Sequence, residues 1–267
     1  MSFELSGWAL ILGASSGFGE AVAVELARRG MHIWGVHLDR RSTMENVERI
    51  ISAIKSFGRE AVFFNVNAAE PEKRSEVLDA IAKRAEEEGI NHPVRVLLHS
   101  LAFGALKPFI AESPSDRVSQ AQMEMTLDVM ANSLVYWVQD LVQRRLMGEG
   151  GRIFAMTSSG STRVWSSYGP VSAAKAALES HVRQLALELA PYGITVNALR
   201  AGVTDTPALR KIPGHEEMIA TAQRRNPHRR LTKPEDVAKA LAALCLPETA
   251  WITGNVIGVD GGEDIAG

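Results

Sequence analysis

The chain has 267 residues, 46% of them hydrophobic and 22% charged, with a formal net charge of -2. A chain of that size and balance buries a substantial core as one domain, and it lacks the global basic field that nucleic-acid binding requires. Its one cysteine, Cys245, cannot form an internal disulfide and falls in the apolar run ALAALCL, the place of a small buried hydrophobe rather than a catalytic thiol.

The first residues, MSFELSGWALILGASSG, contain no basic stretch followed by a long apolar one. No segment reaches the roughly 18 apolar residues of a membrane span, so a cytoplasmic location with no membrane partner is expected. Short apolar runs rich in branched residues then alternate with longer segments of helical period. Strands are expected at WALILG (8–13), HIWGVHL (32–38), AVFFNV (61–66), VRVLLHS (94–100), GRIFAMTS (151–158), GITVNALRA (193–201) and NVIGVDGG (255–262). Their near-continuous hydrophobicity suits strands covered on both faces. Helices are expected over 20–29, 42–57, 71–88, 115–147, 170–189 and 234–246. Ser115 and Pro234 sit near helix starts, Pro170 fits a first helical turn, and Gly30, Gly58 and Gly89 fall just past helix ends. The alternation predicts an α/β fold, a single doubly wound seven-stranded parallel sheet with helices on both faces, spanning residues 1–267. One segment breaks the rhythm, from Thr204 to Thr232. It is too long for a routine connection, and its apolar positions Leu209, Ile212, Met218 and Ile219 favour a short helical lid over a substrate.

The first strand runs into GASSGFG, where Gly13, Gly17 and Gly19 are spaced G-x-x-x-G-x-G and a helix follows at once. A turn that aims backbone N–H groups and a helix N-terminus at one point is a pyrophosphate site, and glycine lets the backbone approach it closely. The intervening Ser15, Ser16 and Phe18 belong to the same candidate cradle. The second strand ends in HLDRRS, where a carboxylate would pair with a ribose diol and an arginine with a 2′-phosphate. Asp39 argues for NAD(H), whereas Arg40 and Arg41 argue for NADP(H), and the balance favours NADP(H) with NAD(H) left open.

In YGPVSAAK, six residues separate Tyr168 from Lys175. On an ideal helix a step of seven advances about 700°, within roughly 20° of two full turns, so both side chains lie on one face. The position four before Lys175 is Val171, which has no hydroxyl, and of the chain's other tyrosines neither Tyr136 nor Tyr192 is near, so Tyr168 is the one plausible acid. Pro170 disfavours helical geometry at Gly169, which places Tyr168 just ahead of the helix.

Taken together, the G-x-x-x-G-x-G turn, Asn65 and Val66 after the third strand, Asn132, Ser158, Tyr168 with Lys175, Thr206 and the terminal VDGG resemble the short-chain dehydrogenase/reductase superfamily over essentially the whole chain. The resemblance implies a Rossmann-like dinucleotide-binding oxidoreductase domain and a homotetramer. It also implies that the cofactor meets Asn65 and Val66 at the adenine, Ser100, Leu101 and Ala102 after the fourth strand, and Gly202, Val203, Thr204 and Thr206 after the sixth. The six-residue gap and the segment HSLAFG resemble enoyl-acyl-carrier-protein reductases, and TDTPALRKIPG with ITGNVIGVDGG is most similar to their third, NADPH-using bacterial type. By that resemblance a hydride from NAD(P)H adds to the β-carbon of a trans-2-enoyl thioester in fatty acid synthesis, carried on acyl carrier protein or coenzyme A. Tyr168 would donate to the thioester oxygen, and Lys175 would hold the nicotinamide ribose while its charge lowers the tyrosine pKa. Ser158 either lines the substrate pocket or caps local backbone. Asn132 either holds a backbone carbonyl or orders a relay, and His99, at the end of a buried strand, reads as structural. The basic residues Arg210, Lys211, Arg224, Arg225, Arg229 and Arg230 of the lid offer a docking patch for an acidic carrier. Two other readings stay open: a carbonyl or alcohol oxidoreductase such as a 3-oxoacyl thioester reductase, and a non-catalytic dinucleotide-binding protein. The chemistry calls for no metal.

Overall fold

A computed structural model describes residues 3–266. Seven strands, β1 (Trp8–Leu12), β2 (His32–His37), β3 (Ala61–Asn65), β4 (Val94–His99), β5 (Arg152–Ser158), β6 (Thr195–Ala201) and β7 (Val256–Val259), form one sheet in the order β3-β2-β1-β4-β5-β6-β7. Every pairing is parallel. The helices are α1 (Gly17–Arg28), α2 (Met44–Ser56), α3 (Pro71–Glu88), α4 (Gln120–Leu127), α5 (Ser133–Gln143), α6 (Gly169–Leu189), α7 (His215–Arg225) and α8 (Pro234–Leu244). This is the Rossmann-like α/β architecture expected from the alternation of apolar runs and helical periods.

The period of two along a strand explains why the sheet has two cores. On β1, Trp8, Leu10 and Leu12 face one layer, where Val77 of α3, Leu134 of α5 and Leu178 of α6 pack. Ala9 and Ile11 face the other, with Val22 of α1, Ile50 of α2 and Leu241 of α8. All five β1 residues are therefore buried, as a strand covered on both faces demands. The strand order reverses between β1 and β4, and the crevice at their carboxyl ends is the position where such sheets bind ligands.

The structure departs from the sequence reading in the helix expected over 115–147. Ser115 is not at a helix start: its hydroxyl bonds toward Ser113 and Asp116, and its carbonyl accepts from Lys107 Nζ at 2.7 Å, inside a loop that closes when Val118 N–H donates to the Pro108 carbonyl. The helix starts at Gln120, because Ser119 and Gln122 form a reciprocal capping box. It is then interrupted by a π-helical turn over Asp128–Asn132, a device that sequence periodicity does not reveal. It ends at Gln143, since Arg145 takes a positive φ of 55° and Leu146 turns to accept from Val94 N–H, tying the connection to β4. The segment over 204–232 forms a short turn at Leu209–Lys211 and then α7. Leu209 and Ile212 are buried beneath it, and Trp165 Nε1 donates to the Pro213 carbonyl at 3.1 Å, which ties the lid to the loop ahead of α6.

Replacing Ser119 by Ala removes the capping box and is expected to cost about 1 kcal/mol of stability in a denaturant titration, whereas Ser115→Ala leaves the midpoint nearly unmoved.

Candidate active site

The glycine turn leaves no room for side chains. Gly13 has a φ of 88°, and a Cβ there would lie 2.5 Å from the Ser100 carbonyl oxygen. A Cβ on Gly19 would lie 2.0 Å from the Gly13 oxygen, and one on Gly17 would reach Thr206 Cγ2 at 3.4 Å. The end of β1, the start of α1, Ser100 after β4 and Thr206 after β6 thus converge on one place. Ser16 caps α1 in an extended conformation without a side-chain bond to the helix, so the first turn of α1, with its partial positive charge, opens toward the crevice. A backbone cradle with this shape fits a dinucleotide pyrophosphate, and Gly13, Ser15, Ser16, Gly17, Phe18 and Gly19 would hold it.

At the end of β2, Asp39 is clasped rather than free. Its N–H donates to Asn65 Oδ1 at 2.9 Å and its carbonyl accepts from Asn65 Nδ2 at 3.0 Å. The Asn65 amide is thereby used to join the β2 and β3 loops, while the side chain of Val66 packs on the core. Burial works to raise the Asp39 pKa, but hydrogen bonds from Ser15, Thr43 and His37 outweigh it and hold the carboxyl below its ordinary value. His37 Nδ1 stands 3.0 Å from Asp39 Oδ2. Arg40 and Arg41 flank this carboxylate at the surface.

The catalytic candidates lie along the seam between β5 and α6, where three successive strand residues each meet a helix side chain. The Met156 carbonyl accepts from Lys175 Nζ at 2.7 Å. Thr157 Oγ1 donates to Glu179 Oε1 at 2.7 Å. The Ser158 hydroxyl accepts from Gly160 N–H at 3.3 Å and so caps the local turn, and it opposes the rise that burial causes in the Tyr168 phenol's pKa. Gly160 is small for a reason: a Cβ there would sit 2.6 Å from Tyr168 Cε1. Tyr168 is the residue just ahead of α6, with φ -94° and ψ -2°, but Gly169 is itself helical despite preceding Pro170, because Pro170 sits in the first turn, where its missing N–H costs nothing.

Burial pushes the Tyr168 phenol above its ordinary pKa, opposed by the Ser158 hydroxyl. Lys175 is buried, and its ammonium donates to the Met156 carbonyl. Burial pulls Lys175 down to about 8, against the opposing charge of Glu179. Lys175 is therefore a cation below about pH 8 and loses its charge above it.

The remaining candidates divide. Asn132, in the π-helical turn, accepts at Oδ1 from His181 Nε2 at 3.0 Å. His99 is fully buried, with Nε2 2.8 Å from Ser133 Oγ; that hydroxyl donates to the Val129 carbonyl, so the histidine donates to it. Burial, followed by the charge of Lys175, pulls His99 down to about 3, which keeps it neutral and structural. Val171 is 5% exposed and packs with Met130, Ala174 and Tyr168. After β6, Thr204 Oγ1 donates to the Gly202 carbonyl and Thr206 Oγ1 accepts from Leu209 N–H, which fixes that loop. Burial pushes the Cys245 thiol up to about 12, so it is inert.

Three residues escape the sequence reading. Glu263 accepts from Val203 N–H at 3.2 Å and so steadies the loop after β6 from the chain's far end, a contact that spacing does not show. Thr157 and Glu179 are the other two, and here a signal exists, since Glu179 follows Lys175 by one helical turn. The lid's positive field is weaker than its composition implies: Arg210 pairs with Asp205, Arg230 with Asp236, and Arg225 donates to the Ala266 carbonyl. No helix in the described residues is long and apolar enough to cross a membrane.

Known proteins resemble this chain over nearly its whole length. A family model described as Enoyl-(Acyl carrier protein) reductase matches residues 13–263. Among curated relatives, 1-cyclohexenylcarbonyl-CoA reductase of Streptomyces collinus is 29% identical, over 96% of this chain and 86% of its own. The 3-oxoacyl-(acyl-carrier-protein) reductase FabG of Aggregatibacter actinomycetemcomitans is 32% identical, over 95% and 97%. A solved structure, the enoyl-(acyl-carrier-protein) reductase (NADH) of Aquifex aeolicus VF5, superposes with a TM-score of 0.82 at 27% identity, over 98% of this chain and 97% of that one.

Because its Cβ would enter the Gly13 carbonyl, Gly19→Ala is expected to weaken NADPH binding at least tenfold in a fluorescence titration. Cys245→Ser, far less constrained sterically, provides the control and should leave that binding unchanged.

Proposed function

The chain belongs to the short-chain dehydrogenase/reductase superfamily, whose members are NAD(P)H-dependent oxidoreductases, and on that premise we propose that it reduces trans-2-enoyl thioesters. The observation that carries this reading is the place of Tyr168. The phenol projects from just ahead of α6, and the position four before Lys175 is filled by a valine turned into a hydrophobic cluster. The similarity to enoyl reductases in the family model and in the Aquifex structure supports it.

A nicotinamide held in this cradle would supply the hydride that adds to the β-carbon of the enoyl chain. The residues of this chain act at the thioester oxygen, where negative charge develops. Tyr168, kept protonated by burial, donates its O–H to that oxygen, and the Ser158 hydroxyl steadies the phenolate left behind. Lys175 holds the nicotinamide ribose through ammonium protons not engaged by Met156. Gly202, Val203, Thr204 and Thr206 position the ring, and Ser100, Leu101 and Ala102 line the floor between β1 and β4. The carrier of the acyl group is acyl carrier protein or coenzyme A, approaching over the lid.

NADP(H) is the favoured cofactor. The Asp39 carboxylate already faces His37 Nδ1 at 3.0 Å, while Arg40 and Arg41 at the surface can pair with a 2′-phosphate. Reduction of 3-oxoacyl thioesters is the second reading, favoured by the Ser158 hydroxyl acting on the Tyr168 phenol and by the 32% identity to the 3-oxoacyl reductase.

With NADPH, oxidation is expected with crotonyl thioester and not with acetoacetyl thioester; the reverse pattern selects the second reading, and turnover of neither removes both. Tyr168→Phe should lower kcat by about 10²-fold or more while leaving NADPH affinity intact. Replacing both Arg40 and Arg41 by Ala should raise the KM for NADPH about tenfold and leave that for NADH nearly unchanged, and equal effects on the two cofactors would sink the NADP(H) assignment.

A further inference from the structure

The proposed reduction uses Lys175 but not the pair of polar groups that stands beside it. A buried ammonium is unfavourable unless it is paired and hydrogen-bonded. Met156 satisfies one of its protons with a neutral carbonyl. One turn further along α6 stands Glu179, whose carboxylate is fixed by Thr157 Oγ1 at 2.7 Å, and Thr157 is itself 4% exposed. The order of the pair, lysine before glutamate, is the weaker one for helix stability, so helix formation does not account for it.

We propose that Glu179, clamped by Thr157 across the seam between β5 and α6, is a positioning residue that keeps Lys175 a cation at the carboxyl end of β5. This rests on the reading that Lys175 holds the nicotinamide ribose.

The other groups around Lys175 do not share this task. From β4, His99 is neutral, and its proximity to the lysine charge is what drives it further from protonation. From the head of α6, Tyr168 stays a neutral phenol, and from α5 Ser133 is neutral and bonds to His99. Glu179 is the one anion acting on Lys175 among the described residues, and it works against burial. Its carboxylate is held by a strand hydroxyl rather than spent in a direct ion pair, so it supplies field without drawing the ammonium away from the Met156 carbonyl. The clamp also fixes direction: Thr157 sits between Met156, which holds the lysine, and Ser158, which acts on the Tyr168 phenol. A single strand segment therefore sets both groups.

The test compares wild type with Glu179→Gln, which retains an oxygen for Thr157 but removes the charge. Two profiles are measured against pH: kcat/KM for crotonyl thioester and NADPH affinity by fluorescence. Since an anion favours the charged form of a neighbouring lysine, its loss should move the alkaline limb of both profiles to lower pH by about one unit. Glu179→Asp should restore part of the shift, and Thr157→Val, which frees the carboxylate, should produce a smaller shift in the same direction. A loss that is uniform at every pH, with the limb in place, overturns the proposal and leaves Glu179 a packing residue. If Glu179→Gln does not fold, Thr157→Val decides by the same criterion. Absence of turnover in wild type would instead count against enoyl reduction, and the affinity profile would still judge the clamp.

Discussion

The constraint on which the site depends is the burial of one positive charge. Lys175 lies beneath α6 against the carboxyl end of β5, where hydration is replaced by a carbonyl, a nearby carboxylate and packed apolar side chains. Desolvating an ammonium costs several kcal/mol even after relaxation, on the order that single mutations rarely exceed. The fold tolerates this because β5 is an interior strand, paired to β6 from Arg152 to Ser158 and to β4 from Arg152 to Ala155. The carbonyl that receives the lysine cannot drift, so a charge that would otherwise disturb the core becomes a fixed feature of the cleft.

The same rigidity places the rest of the site. Alternation along the strands fills both faces of the sheet, and this leaves only the carboxyl edge for chemistry. At that edge the order reverses between β1 and β4, and the backbones of Gly13, Gly19 and Ser100 close to distances no side chain could accept. Glycine is required there because the missing Cβ atoms let the end of β1, the start of α1 and the Ser100 backbone pack this closely. The β6 loop is brought to the same place by Thr206 against Gly17 and is held from behind by Glu263, so the two ends of the sequence meet at the cofactor cleft.

How much of this is legible in the sequence depends on whether the information is local. The seven strands stand out because buried parallel strands are continuous apolar runs, and the glycine turn stands out because three glycines sit between a strand and a helix. The start of α4 is misplaced because serines at 113, 115 and 119 all resemble caps, and only the reciprocal bond between Ser119 and Gln122 separates them. The π-helical turn is invisible because it changes hydrogen bonding without changing composition. The carbonyl partner of Lys175 is hidden for a related reason: shared helical phase tells which face two residues occupy, but not toward which atom a long side chain points. The lid's arginines likewise look like a free basic patch in the sequence, whereas Arg210, Arg225 and Arg230 have partners inside the fold.

The spacing of the tyrosine is therefore more than a label. The position four before Lys175 is Val171, which packs with Met130 and Ala174 and carries no hydroxyl proton to give. The candidate acid is instead Tyr168, the residue on which α6 begins, whose carbonyl already accepts the first helical bond from Ser172 N–H. The proposed chemistry rests on that exchange: the helix face keeps a valine, and the phenol stands at the helix start.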